Sequence, residues 1–374
     1  MGGGIGGLCA AIALRKIGVE ALVYERAKSF GAVGAGLTLW ANAIHALRLL
    51  GLADQVIAAG SKIQNGALRT ADGRALVTSR YGEFETRFGE PTVAIHRAEL
   101  HRILLSALPG EAVVVDRTCR SFEQRETGVE ACVEDGSAET ADLLVGADGI
   151  QSVVRRQMLP EVELRYSGYT AWRGVVETTS PQALGTTSES WGRGRRFGIV
   201  PISAQQVYWF ATANVPAGLE QPAAGRKQDL LGRFAGFHDP VPALIEATPA
   251  ENILRNDIHD IPPFHGWSQG RVVLLGDAVH PTTPNMGQGA CMAIESAVML
   301  ARAVQQEPDL ISALIRYEAE RQPRTAEVTG QSWSIGQVGQ LDNPLLCALR
   351  NFVMSIMPES VLKDRIGKIA GYKV

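Results

Sequence analysis

A chain of 374 residues is too long for one compact core and implies two domains or one large composite. With 45% apolar and 20% charged residues, a net charge of −3 and a pI near 6.2, its composition is that of a soluble globular protein and gives no reason to expect nucleic acid or a membrane as partner. Five scattered cysteines (Cys9, Cys119, Cys132, Cys291, Cys347) without a C-x-x-C pair point to free thiols in a reducing cytoplasm, and neither to a metal site nor to a disulfide frame.

The chain opens MGGGIGGLCAAIAL, in which Gly2, Gly4 and Gly7 satisfy G-x-G-x-x-G. Residues 8–17 are predicted as a helix and 21–24 as a short buried strand ending in Glu25. Glu25 lies 18 residues after Gly7, near the ~20 expected of a carboxylate that binds a dinucleotide ribose. Such a turn normally follows a buried strand, and none precedes Gly2. Five apolar side chains at ~1.5–3 kcal/mol each amount to on the order of 10 kcal/mol of missing burial. The expectation is therefore a natural start a few residues upstream.

Further helices are predicted over 41–50 and 97–108, then a small β meander over 112–145 that closes on Leu143-Leu144-Val145. Gly146-Ala147-Asp148-Gly149 follows as a turn opening another helix, with Ser152 and Arg155 behind it; an aspartate there serves equally well as a helix N-cap. From about 164 to 215 the pattern turns to strands, and 226–247 reads as helical. The buried strand 271–275 ends in Gly276-Asp277, followed by the irregular stretch 281–284, Gly287-Gln288-Gly289 and helices over 290–306 and 309–335. The expected division is 1–163 (a nucleotide-binding part including the meander), 164–262 (mainly β), 263–335 (the second nucleotide-binding part) and a C-terminal helical segment 336–374.

Three sites in the order G-x-G-x-x-G, D-G and G-D resemble the single-component FAD-dependent aromatic monooxygenases of the para-hydroxybenzoate hydroxylase type. The segments SGYTAWRGVVE, IHDIPPF and GRVVLLGDAVHPTTPNMGQGAC are similar to those of its bacterial urate hydroxylase-like members. The resemblance implies an α/β fold: a Rossmann-like FAD-binding domain, here lacking its first strand, with an interleaved β-sheet substrate domain and C-terminal helices. It implies that Gly2, Gly4, Gly7 and Glu25 hold the FAD pyrophosphate and ribose, that Arg97 reaches the phosphates, and that Asp148 and Gly149 serve FAD and NAD(P)H, with Arg155 closing that motif. Asp277 would bind the ribityl or diphosphate portion, and Gly287 and Gly289 would face the flavin pyrimidine ring.

The implied reaction is that of a cytoplasmic oxidoreductase. NADH or NADPH reduces FAD, O2 forms a flavin C4a-hydroperoxide, and one oxygen enters a small aromatic or heteroaromatic substrate. Arg196 and Tyr208 match the substrate-sheet residues of the urate hydroxylases. Asn285 stands where they carry an aspartate, and an amide cannot act as a general base. An epoxidase is the alternative, as is an FAD-binding protein without oxygenase activity because of the absent strand. His280 sits near the flavin by this resemblance or is a structural loop histidine. Trp172, Trp191, Trp209 and Phe197 line a pocket or pack the sheet. No metal is required, and the protein is expected as a monomer or homodimer.

Overall fold

The computed structural model describes residues 1–31, 35–177, 185–219 and 222–374. The apolar run after the glycine turn forms the helix Ile5–Lys16, which buries Leu8, Cys9, Ile12 and Leu14 and packs on the helix Gly289–Gln306. Gly6 eases that approach, because a Cβ there would stand 3.4 Å from Ala293 Cβ on that helix and 2.8 Å from Leu275 Cδ2 before it. Ala41–Leu50 ends at Gly51 in the left-handed region (φ 81°), as its sequence predicts. The helix Arg97–Ser106 is shorter than expected, and its N-cap is His96, whose Nδ1 accepts from the Ala98 N–H.

The nucleotide-binding part is built from short parallel pairs. Val23–Tyr24 pairs with Val113–Val114, and Leu144–Gly146 pairs with Val272–Leu274. Met1 and Gly2 tie these pairs together: Met1 N donates to Val145 O, Met1 O accepts from Ala147 N, and Gly2 N donates to Tyr24 O, each at 2.8 Å. They thus occupy hydrogen-bonding positions of the strand that the sequence reading finds missing. The meander is a three-stranded antiparallel sheet of Cys119–Gln124, Val129–Val133 and Ala138–Ala141.

The second sheet has seven strands in the order Leu254–Asp260, Arg165–Glu177, Gln206–Ala213, Arg195–Pro201, Thr186–Trp191, Asn65–Thr70 and Ala75–Arg80. Its last two strands lie between 65 and 80, a stretch to which the sequence reading assigns no strand. They join through a parallel pairing of Asn65–Thr70 with Thr186–Trp191. One face packs Trp172, Phe197 and Trp209 beneath the helices Ala223–Phe234 and Val241–Ala247, so these aromatics are core. The single helix read over 226–247 is two helices, because Pro240 and Pro242 cannot supply the amides a continuous helix needs. The opposite face looks toward the nucleotide-binding part.

Leu310–Gly339 runs 30 residues from its Asp309 cap, and two further helices, Pro344–Ile356 and Glu359–Ala370, complete the chain. The five cysteines are free and four of them are buried. Among the described residues no helix is long and apolar enough to cross a membrane.

Candidate active site

Three glycine-rich segments, distant in sequence, meet at one cleft. Gly2 has φ 103°, and a Cβ on it would stand 2.2 Å from Ala147 O, so the first turn rests directly on the second. Gly7 is equally constrained, with a Cβ falling 1.9 Å from Gly2 O. Gly4 is different: nothing lies within 4 Å of its Cβ position, and no described side chain caps the helix it begins. An uncapped helix start beside bare backbone is a ready anion site.

Glu25 closes this turn, accepting from Gly3 N (2.7 Å) and Ala27 N (2.8 Å) while keeping lone pairs for a further donor. His101, which sequence reasoning missed, bonds Gly3 O through Nε2 at 2.6 Å. Asp148 caps the helix Val153–Met158: its Oδ1 accepts from Ser152 Oγ at 2.5 Å and its Oδ2 from Val153 N at 2.7 Å. Gly149 follows at φ 79° with open space around its Cβ position. Arg155 is buried and donates to Ile150 O (2.7 Å) and Ala278 O (2.9 Å), clamping the second turn to the third.

Asp277 stays reachable by solvent at the base of the cleft. The surrounding protein displaces enough water to push its carboxyl above the ordinary carboxylate range, against the pull of the Arg97 guanidinium. Arg97 is exposed at its helix N-terminus, within electrostatic reach of Asp277. Gly287 lies at φ 62°, and the helix beginning at Gly289 has no side-chain cap among the described residues. Beside Gly287, the Trp40 indole N–H is buried without a partner among the described residues.

On the sheet, Arg196 and Asn285 are in direct contact, with Arg196 Nη2 donating to Asn285 Oδ1 at 2.6 Å. Arg196 is buried, and its Nε donates to Gln340 Oε1 (2.7 Å) and its Nη1 to Glu189 Oε1 (3.2 Å). Asn285 Nδ2, with two N–H groups to give, lies 2.8–3.0 Å from Thr283 Oγ1, Ser332 O and the Tyr169 hydroxyl. Tyr208 does not join this group. Register pairs Arg196 with Thr212 and Val200 with Tyr208, which puts Tyr208 four residues further along, about 13 Å away. Burial raises its phenol above the ordinary range, with Arg173 opposing. Between the two, the same face presents Phe210 and Leu68, both partly exposed. Trp191 takes no place on that apolar surface; the Arg350 guanidinium lies over it at 5.2 Å.

His280 is a buried loop histidine, bonded through Nε2 to Ser296 Oγ at 3.0 Å and facing a hollow lined by Trp267, Val279 and Thr325. Burial, reinforced by Arg321, lowers it from 6.5 to about 3. Its ring is neutral when folded and takes up a proton when unfolded below about pH 6.5. Its stabilisation is therefore complete above that pH and is lost as pH falls toward 3, at up to about 1.4 kcal/mol per pH unit. Urea unfolding at about pH 4.5 and about pH 7.5 is expected to show a smaller loss for His280→Gln than for the native chain; equal losses would remove His280 as the source.

Comparison with known proteins agrees with this geometry. Residues 1–332 match the model of the FAD binding domain family. The chain is 45% identical over 357 residues to aurachin C monooxygenase/isomerase of Stigmatella aurantiaca (95% of this chain, 93% of that protein). It is 34% identical over 364 residues to 2-heptyl-3-hydroxy-4(1H)-quinolone synthase of Pseudomonas aeruginosa (96% and 94%). Its structure is similar to that of Klebsiella pneumoniae HpxO complexed with FAD and uric acid, with a TM-score of 0.93 and 31% identity over 99% of this chain and 95% of that one. This chain belongs to the FAD binding domain family of flavoprotein monooxygenases.

Proposed function

We propose that this chain is an NAD(P)H-consuming, FAD-dependent monooxygenase that places one atom of O2 on an electron-rich heteroaromatic ring bearing an apolar substituent. The observation that carries the reading is the convergence of two uncapped helix starts with Glu25 and the Gly146–Gly149 and Gly276-Asp277 turns, which touch one another through Gly2, Gly6 and Arg155. The bare backbone at Gly4 and Gly149 fits a dinucleotide pressed against it. Bound FAD supplies the electron and oxygen chemistry, which no protein side chain performs. The Gly4 turn and Arg97 hold the pyrophosphate, Glu25 accepts from the ribose, Asp277 binds the ribityl or diphosphate portion, and Gly287 and Gly289 present amides at the positive end of an 18-residue helix.

The substrate side favours a neutral, apolar-tailed ring over urate. Three of the five Arg196 N–H donors go to Gln340, Glu189 and Asn285, and the Glu189 carboxylate 3.2 Å away already balances its charge, which weakens its pull on an anion. Asn285 orients and does not deprotonate. Phe210, packed over Gly198, and Leu68, on the far side of Glu189, add apolar surface to the same sheet face. One of the sequence relatives fits this choice, being named for a product that carries a heptyl chain on a quinolone ring.

With added FAD, NADH or NADPH consumption is expected to rise on adding a 2-alkyl-4(1H)-quinolone and not on adding urate. Hydroxylation of urate would overturn the substrate assignment, and cofactor oxidation without any oxygenated product would leave only an FAD-binding protein. Asn285→Ala strips Arg196 and Tyr169 of a shared partner. It is expected to slow quinolone turnover about tenfold to a hundredfold while flavin content stays unchanged, checked by steady-state rates and absorbance. A second reading, epoxidation of a ring double bond, is favoured by the same amide, because it needs no prior deprotonation; product analysis separates the two.

A further inference from the structure

The helix Pro344–Ile356 has its polarity turned inside out. Leu345, Leu349, Phe352 and Ile356 are 80%, 58%, 61% and 62% exposed, with Leu346 and Val353 beside them. Its charged residue, Arg350, is buried beneath it, donating to Gly192 O, Val338 O and Gly339 O. At 100° per residue the six apolar side chains lie within about 120° of arc, and no Asp, Glu, Lys or Arg shares the exposed side. Such a face is not a solvent face.

Two features decide what covers it. The arc is wider than the seam of two paired helices, and one helix about 20 Å long offers only a few hundred Å². That falls short of the ~800 Å² per partner that a stable dimer covers. A lipid surface asks only for a shallow, broad apolar face with a polar margin. Arg193 stands at its N-terminal end, bonded to Asp342 O, and Arg365 and Lys368 are exposed on the next helix. The helix also adjoins the substrate face: Arg350 bonds Gly339, and a Cβ on Gly339 would stand 2.9 Å from Arg196 Cδ.

We infer that Pro344–Ile356 lies in the interfacial layer of a lipid bilayer and brings the substrate face to apolar-tailed substrate dissolved there. This rests on the apolar-tailed substrate proposed above. It also departs from the composition-based expectation of no membrane partner, because whole-chain charge averages over one uncharged helix face.

Flotation of the full chain with neutral phosphatidylcholine vesicles, without substrate, tests it. The native chain is expected to float with the vesicles. The triple variant Leu345→Gln, Leu349→Gln, Phe352→Gln is expected to partition at least about tenfold less, with flavin content unchanged. Phe352→Trp keeps the face apolar, and its emission is expected to shift to shorter wavelength on adding vesicles. A native chain that stays in the aqueous fraction at every lipid concentration overturns the inference. So does a vesicle-indifferent dimer that the triple variant dissociates in sedimentation. Because no substrate is present, these outcomes are independent of quinolone turnover, which is measured in vesicle-free solution.

Discussion

Gly4→Ala is expected to yield a folded protein that cannot retain FAD, whereas Gly7→Ala is expected to lose both FAD and stability. At Gly4 the backbone is extended (φ −73°, ψ 178°), a conformation alanine adopts freely, and nothing in the protein lies within 4 Å of the added carbon. Stability of the flavin-free chain should therefore change by no more than about 0.5 kcal/mol. If the pyrophosphate lies against Gly4 as proposed, the methyl group enters its space, and affinity for FAD should fall at least about a hundredfold. At Gly7 the added carbon meets Gly2 O at 1.9 Å, and the turn must open even when empty. Flavin fluorescence titration and thermal unfolding of both flavin-free variants separate the two. Equal stability losses would mean that the open space at Gly4 is not a ligand site.

Glu295→Ala is expected to destabilise the protein by about 3–5 kcal/mol, lowering Tm by roughly 5 °C in a thermal scan. Glu295 is fully buried on the helix that starts at Gly289. Its carboxylate lies 2.8 Å from Arg321 and 3.4 Å from Arg324, and it accepts from Asn42. Removing it leaves two guanidinium groups buried without an opposing charge. The damage should also reach the cofactor side, because Asn42 bonds Gln288 Oε1 at 2.9 Å, between Gly287 and Gly289. Weaker FAD binding is therefore expected alongside the lower Tm. A variant as stable as the native chain would show that the network carries no net stabilisation.

What could be read from the sequence was local. The turn at Gly2–Gly7, the Gly146–Gly149 turn and the Gly276-Asp277 strand end each carry their meaning within about ten residues, and their fixed order identified the family. The partners that hold them in place carry no such local signal. Asn42 reaches Glu295 across 253 positions, and Arg196 reaches Gln340 across 144. Glu189 and Tyr169 look like ordinary strand residues until the sheet folds over the Asn285 loop. The strands Asn65–Thr70 and Ala75–Arg80 escaped for a related reason. Their place is set by a parallel pairing with a strand about 120 residues away, and tertiary context outweighs local propensity in such segments. Tyr208 shows the converse. The resemblance groups it with Arg196, yet strand register separates the two along one sheet face.

The most direct test of the account is turnover under isotopically labelled dioxygen. The full chain is supplied with FAD, NADH or NADPH and a 2-alkyl-4(1H)-quinolone, and the product is read by mass spectrometry. The predicted result is a product carrying one labelled oxygen atom, formed only when FAD and the nicotinamide are both present. Nicotinamide oxidation with no labelled product, or a product whose new oxygen comes from water, would contradict it.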